Sequence, residues 1–266
     1  MKKLLLILLL LSSCSSTNVE DRQANLINLN NGQFSENIYR SNSFNIFSVK
    51  KVINSNILTV YIEGDGLAWK DRFTPSPDPT PTDPVAFKLA LQDKSDNVIY
   101  LARPCQYILS IGCNQAVWTS LQYSELILNN YKSILRELSN NYKEIHLVGY
   151  SGGAAIAIYL ASIEDLNIKS IRTIAGNINP DEISQLLNLS GYKKTINFYS
   201  LENSIKNISQ THYYGNKDKV IPLDLHLNYS KRNLNNRCII IEPVSATHNK
   251  GWDIFWEKNY QLKSNC

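Results

Sequence analysis

Apolar residues concentrate in short continuous runs that are separated by polar or amphipathic stretches. Residues 57–62 (ILTVYI), 97–102 (NVIYLA) and 144–149 (EIHLVG) are apolar almost throughout, which is typical of strands buried on both faces of a sheet. Further strands are predicted at 43–53, 170–175 and 238–244, with shorter candidates at 195–200 and 210–214.

Helical spacing of apolar residues is clearest over residues 124–140. Shorter helices are predicted at 85–93, directly after Ser151, at 181–189 and at 249–261. Alternate prolines exclude both helix and central strand from the segment 70–84. Because strands alternate with helices, the pattern predicts an α/β fold with a mostly parallel central sheet and helices on both faces.

The first residues have the pattern of a secretory signal peptide: a basic start, eight consecutive apolar residues, and then Ser12 and Ser13. The ending Leu-Ser-Ser-Cys14 resembles a bacterial lipobox, in which the cysteine carries the lipid; an ordinary signal with an incidental cysteine is the alternative. We therefore expect a signal peptide at 1–13, a lipid-attachment cysteine and tether at 14–40, and one domain at 41–266. The protein is expected to be exported and lipid-anchored to the bacterial cell envelope, on the periplasmic face.

Composition favours a single globular domain and argues against nucleic-acid-binding and membrane-spanning proteins. A chain of 266 residues that is 43% hydrophobic can bury one sizeable core. Its net charge of +4 is too small and too scattered for a nucleic-acid groove, so no nucleic-acid partner is expected. No apolar run reaches the roughly 18 residues of a membrane-spanning helix. Neither a dinucleotide-binding motif nor a metal-ligand spacing is present, so no cofactor and no metal are expected.

Export would place the four remaining cysteines in an oxidising compartment. Cys105 and Cys113 lie in one loop bounded by Pro and Gly, and they are the favoured disulfide pair. Cys238 and Cys266 then remain as a second pair, on weaker grounds. Metal binding is the alternative, but the cysteines lack the usual ligand spacing.

The strongest chemical signal is Gly149-Tyr150-Ser151-Gly152-Gly153, which directly follows a predicted strand and precedes a helix of small residues. This is the G-x-S-x-G nucleophile elbow in the context that the motif requires. The glycines let the strand and helix approach closely, and the sharp turn exposes the serine hydroxyl beside the amides that begin the helix.

The elbow and the residues that follow it resemble the α/β-hydrolase superfamily, whose triad runs in the order serine, acid, histidine. His248, in the loop after the last strong strand, is the expected base, and His226 is the alternative. Asp218 lies in a turn after the predicted strand that ends at Gly215, and Asp181 is the alternative acid. His146 and His212 lie within predicted strands and are expected to be structural.

Two backbone amides are expected to form the oxyanion hole, one from Gly152 and one from Asp65 in the early loop Glu63-Gly64-Asp65-Gly66. The superfamily often has histidine where this chain has Glu63. Carboxylates that pointed toward an oxyanion would oppose catalysis. They are therefore expected either to hold the loop or to bind a cationic group of the substrate.

Five segments look like those of small exported bacterial α/β hydrolases: 61–69 (YIEGDGLAW), 78–86 (DPTPTDPVA), 100–107 (YLARPCQY), 146–153 (HLVGYSGG) and 173–177 (TIAGN). The resemblance covers most of residues 45–262 and implies a serine hydrolase without naming its substrate. It also implies that the Pro-rich segment and the cysteine loop wall the active site. Four aromatic residues are candidates for the substrate pocket or, equally, for anchoring loops: Trp69, Trp118, Tyr107 and Tyr123.

Three functions remain open at this point. The first is a serine hydrolase that acts on a small-molecule or lipid-like acyl substrate, an ester or thioester, through Ser151, His248 and Asp218. The second is a serine peptidase or amidase of the same fold, favoured if Glu63 and Asp65 recognise an amino terminus. The third is a non-catalytic binding lipoprotein on a degenerate hydrolase fold.

Overall fold

The computed structural model describes residues 19–41, 43–54, 56–262 and 266. The predicted signal peptide and Cys14 lie outside these residues. Within them, no helix combines the length and the apolar character needed to cross a membrane.

A single eight-stranded sheet forms the centre of the described chain, in the spatial order β1-β2-β4-β3-β5-β6-β7-β8. The strands are β1 (Ser35–Tyr39), β2 (Ile46–Lys51), β3 (Ile57–Ile62), β4 (Val98–Leu101), β5 (Glu144–Tyr150), β6 (Ile168–Ile174), β7 (Ser209–Gly215) and β8 (Ile239–Val244). β1 pairs antiparallel with β2 and β2 with β4, and every other neighbouring pair is parallel. The sheet is therefore mostly parallel, as predicted.

In the described part of the chain, eight helices accompany these strands: α1 (Val19–Asn30), α2 (Val85–Gln92), α3 (Gln115–Trp118), α4 (Glu125–Ser139), α5 (Gly153–Ala161), α6 (Pro180–Leu186), α7 (Leu223–Arg232) and α8 (Trp252–Trp256). One buried cluster joins α4, α5, α6 and α7 to the sheet, and a second joins α1, α2 and α8. Two separate cores on the two sides of one sheet confirm the prediction of helices on both faces.

The structure differs from the expected elements in three places. Residues 198–201 form a 3₁₀ turn where a strand was predicted at 195–200. The last helix spans only Trp252–Trp256 within the predicted 249–261. Helix α1 and strand β1 occupy residues 19–39, most of the segment expected to be a tether, and β1 is the edge strand of the sheet.

Both expected cysteine pairs are joined. Cys105 bonds to Cys113 within the loop after β4, and Cys238 bonds to Cys266. The first disulfide closes a short loop, and Cys105 and Tyr107 within it have positive φ angles of 70° and 62°. The cross-link therefore fixes a loop whose backbone is unfavourable for ordinary L-residues.

Candidate active site

Ser151 lies in a sharp turn between β5 and α5, at the carboxyl edge of the sheet. Its φ of 48° is in the left-handed region that non-glycine residues rarely adopt. The turn is fixed on both sides, since the Ser151 amide donates to the Ile174 carbonyl (3.0 Å) and the Asn177 amide donates to the Ser151 carbonyl (2.9 Å). A strained but well-fixed residue of this kind is common at functional sites.

Two glycines allow the turn to be this tight. A Cβ on Gly149 would lie 2.6 Å from Cα of Ala154 in helix α5, and one on Gly153 would lie 2.6 Å from the Glu63 carbonyl oxygen. Neither position can accept a larger residue without moving backbone. The glycines of the sequence motif therefore have the steric role that was expected of them.

Ser151, His248 and Asp218 form one chain of hydrogen bonds. Ser151 Oγ lies 3.0 Å from His248 Nε2, and His248 Nδ1 lies 2.9 Å from Asp218 Oδ2. The three residues follow β5, β8 and β7 in turn, so parallel strands bring them to the same edge of the sheet. A neutral imidazole that donates from Nδ1 to Asp218 leaves Nε2 free to accept the serine proton.

The Asp218 carboxyl is held ionised in this arrangement. Burial alone would raise its pKa, but the hydrogen bond and the charge of His248 lower it. The amides of Val220 (2.7 Å) and Ile221 (3.1 Å) donate to Asp218 Oδ1 and act in the same direction. The net result is a pKa below the ordinary value of 3.8, so the carboxylate can stabilise a protonated His248.

The alternative base and acid, and the two histidines expected to be structural, all lie outside the hydrogen-bonded triad. His226 is buried on α7, its ring nitrogens have no hydrogen-bond partner within the described chain, and burial lowers its pKa to about 4. Asp181 accepts the Phe198 amide at 3.0 Å. His146 contacts the Ser170 hydroxyl, and His212 contacts Thr173. None of these four contacts Ser151 through a hydrogen bond in the described structure.

The loop after β3 passes directly over the nucleophile. A Cβ on Gly64 would lie 2.9 Å from the Tyr150 ring and 3.1 Å from Ser151 Cβ, and one on Gly152 would overlap the Asp65 carboxylate. The backbone amides of Gly152 and Asp65 have no protein acceptor among the described residues. Two free donors thus lie in the segments that flank Ser151, where an oxyanion hole would need them.

Both acidic side chains of this loop are engaged in other contacts. Asp65 Oδ1 accepts a hydrogen bond from Arg103 Nη1 at 2.9 Å, which offsets its charge. Glu63 is buried; its Oε1 accepts the amides of Gly64 (3.0 Å) and Ala86 (3.3 Å). Burial raises the pKa of Glu63 to about 7. These contacts hold the loop in place, which is one of the two roles expected for its acidic side chains.

Sequence reasoning missed two residues that support this loop. Arg103 Nη2 also donates to the Gln122 carbonyl (3.0 Å), and Gln106 Nε2 donates to the Gly64 carbonyl (3.1 Å). Both residues lie in the disulfide-bonded loop after β4. The available signal was positional, because β4 neighbours β3 in parallel and its carboxyl end must lie beside the 63–66 loop.

A pocket of about 290 Å³ opens beside Ser151 and His248. The Pro-rich segment contributes Pro81, Thr82 and Asp83 to its wall, as expected, and Trp69 is the only one of the four candidate aromatics that lines it. Trp118 donates to the Ser76 carbonyl, Tyr123 contacts Asp65 at 3.5 Å and Tyr107 packs on Phe47. Those three aromatic residues anchor loops.

In the described ranges, no three His, Cys, Asp or Glu side chains come together in a way that could hold a metal ion. The candidate active site itself contains a hydroxyl, an imidazole, a carboxylate and two backbone amides without a protein acceptor.

Comparison with solved structures identifies the architecture as the α/β-hydrolase fold. An esterase from Pyrococcus furiosus is 16% identical, with a TM-score of 0.58 over 85% of this chain and 88% of its own. An alpha-beta serine hydrolase homologue from Coxiella burnetii is 14% identical, with a TM-score of 0.55 over 84% and 94%. Est1E from Butyrivibrio proteoclasticus is 10% identical, with a TM-score of 0.56 over 84% and 94%. No family model matches the chain, and a search of curated proteins finds no match either.

Proposed function

We propose that this chain is a serine hydrolase that cleaves an ester, thioester or related acyl substrate through a Ser-His-Asp triad and an acyl-enzyme intermediate. The observation that carries the proposal is the hydrogen-bonded chain Ser151–His248–Asp218. A serine hydroxyl is weakly nucleophilic by itself, and a positioned base is what activates it. The triad order and the resemblance to α/β hydrolases support the same conclusion.

In the proposed reaction, Ser151 Oγ attacks the acyl carbonyl carbon while His248 Nε2 accepts the hydroxyl proton. The amides of Gly152 and Asp65 stabilise the negative oxygen of the tetrahedral intermediate. The intermediate then expels the alcohol or thiol, which takes its proton from His248. Water, activated by the same imidazole, attacks the acyl-enzyme and releases the acid.

Covalent labelling tests the proposal directly. A soluble protein that begins at Ser15 is treated with a fluorophosphonate, and the adduct is mapped by mass spectrometry. Labelling at Ser151 is expected, and it should be lost in Ser151→Ala and strongly reduced in His248→Ala. Folded protein that does not react would contradict the proposed triad and favour the non-catalytic binding function.

A peptidase or amidase is the second candidate. Asp65 is the acidic group of the loop that would meet a substrate amine, because its side chain is 30% exposed whereas Glu63 is buried. A panel that compares short acyl esters with aminoacyl amides separates the two. Faster turnover of the esters is expected.

We also propose that the chain is exported and anchored to the bacterial envelope by a lipid on Cys14. The signal-like start supports export, and two disulfides are in keeping with an oxidising compartment. Fractionation of cells that express the whole chain tests the anchor. The native protein should sediment with membranes, whereas Cys14→Ser should not.

A further inference from the structure

A second and larger cavity of about 870 Å³ lies beside the pocket of Ser151. Four segments form it: residues 69–72, residues 119–122, the end of α6 with the loop that follows it to residue 192, and residues 219–220. Its apolar lining consists of Trp69, Leu187, Leu189, Tyr192 and Val220. This volume is within the range of small-molecule sites, roughly 300–1,000 Å³. We call this cavity the apolar groove.

The apolar groove adjoins the candidate active site. Trp69 and Val220 line both cavities. Val220 is fixed close to the triad, since its amide donates to Asp218 Oδ1 at 2.7 Å. A substrate chain that extends from Ser151 past Trp69 and Val220 would therefore enter the groove.

The two cavities differ in chemistry. Three acidic residues, Glu63, Asp65 and Asp83, line the smaller pocket. In the groove, by contrast, Leu187 is 41% and Leu189 50% exposed to solvent. Its charged lining residues, Asp71, Arg72 and Lys219, are exposed and can keep their charges in water. Exposed apolar side chains that lie together often mark a binding site, and an apolar group of the substrate would cover them here.

We infer that the apolar groove binds the unbranched acyl chain of the substrate. This inference rests on the proposed function, because it assumes that Ser151 reacts with the carbonyl at one end of that chain. The occupant is a hydrocarbon chain because, apart from the exposed charged residues, the lining consists of apolar side chains, hydroxyl groups and the neutral amide of Gln122, and it has no buried charge to pair with an ionic ligand. The smaller polar pocket is left for the leaving group.

The test is a series of p-nitrophenyl esters that share one leaving group and differ only in acyl length, from acetyl to dodecanoyl. Each methylene that leaves water should raise kcat/KM by up to about fourfold, until the groove is filled. An overall rise of at least about tenfold from acetyl to octanoyl is expected if only part of each methylene is buried.

Matched leucine variants test whether the groove causes the dependence of kcat/KM on acyl length. Leu187→Asp and Leu189→Asp should each lower the octanoyl-to-acetyl ratio of kcat/KM at least about fivefold, because a charge then meets the chain. Leu234→Asp is the control and should leave the ratio unchanged. Leu234 is 71% exposed and lies just before β8, at the end of the sheet opposite Ser151.

The outcomes separate the inference from the proposed function. The groove would be overturned as an acyl site if kcat/KM did not change with acyl length while Ser151 was still labelled normally. The same conclusion would follow if the leucine variants lowered kcat/KM equally for all esters. A series that is flat for acyl length but rises with the length of the alcohol would also overturn it, since the chain would then belong to the leaving group. Loss of fluorophosphonate labelling would instead contradict the serine hydrolase itself.

Discussion

At the scale of single residues, the surroundings of Glu63 oppose its charge. It is buried, two amides meet its Oε1, and its Oε2 has no hydrogen-bond partner in the described structure. The two amides favour the carboxylate, but burial outweighs them, and the pKa rises from 4.5 to about 7. The folded chain therefore binds this proton more tightly than the unfolded chain does.

The raised pKa of Glu63 predicts a stability that falls as pH rises. Between pH 4.5 and pH 7 the folded state holds more protons than the unfolded state, so the free energy of unfolding decreases by about 3 kcal/mol. Glu63→Gln removes this cost while its carbonyl oxygen still accepts both amides. The variant should be more stable than the parent at pH 8 and similar at pH 4.5, as measured by urea unfolding. Glu125→Gln, on the exposed start of α4, controls for the lost charge; equal effects of the two variants would contradict the argument.

The residues that meet at the site could be chosen from sequence because each follows a strand closely. Ser151, Asp218 and His248 come after β5, β7 and β8, and parallel strands bring their carboxyl ends together. Arg103 and Gln106 were missed, because their roles depend on a contact between two loops about forty residues apart, which only the parallel pairing of β3 and β4 indicates. No local pattern encodes such a contact.

At the scale of elements, the loop 63–66 depends on the disulfide-bonded loop beside it. Arg103 is buried and binds the Asp65 carboxylate and the Gln122 carbonyl, while Gln106 holds the Gly64 carbonyl. A Cβ on Gly66 would lie 2.6 Å from Gln106 Nε2, so the two loops are in close contact. The loop that contains the Cys105–Cys113 disulfide therefore helps to position the Asp65 amide.

Arg103 is thus expected to act as a positioning residue for the oxyanion hole. Loss of an entire oxyanion donor costs about 10²–10³ in kcat, so Arg103→Met, which only loosens one, should lower kcat about 10- to 100-fold with little change in KM. Arg103→Lys should recover part of that loss because it restores the charge beside Asp65. Kinetics on an acetyl ester test this. Arg136→Met, which removes an exposed ion pair with Asp165, is the control; a change in KM alone would indicate a role in substrate binding instead.

The elements that could be predicted are those with a strong local pattern. The sequences of β3, β4 and β5 are apolar almost throughout because these central strands are buried by helices on both faces of the sheet. Residues 195–200 also contain β-branched and aromatic residues, but they pair with no strand of the described sheet. Thr195 forms one isolated bridge with Ser124, and a 3₁₀ turn forms over Phe198–Leu201. β-propensity alone, without a partner strand, does not make a strand.

At the scale of the whole molecule, the amino-terminal segment is tied to the candidate site. Arg22 of α1 lies 3.3 Å from Asp78 and donates to the Thr80 carbonyl. Those residues belong to the Pro-rich segment, whose next three residues line the pocket of Ser151. The local sequence of α1 is mostly polar, so its place in the fold depends on partners more than fifty residues away. Because these partners are so distant in sequence, the local pattern of α1 predicts a tether.

The packing of α1 leads to a prediction with an internal control. Leu26 is fully buried in the core shared with α2 and α8, whereas the next residue, Ile27, is 45% exposed. Leu26→Ala should lower the free energy of unfolding by about 2–4 kcal/mol, because it removes buried methyl groups and leaves a cavity. Ile27→Ala should cost less than about 1 kcal/mol. Urea unfolding of both variants measures the difference. Equally small losses would mean that residues 19–30 do not contribute to the folded domain, which would return them to the tether.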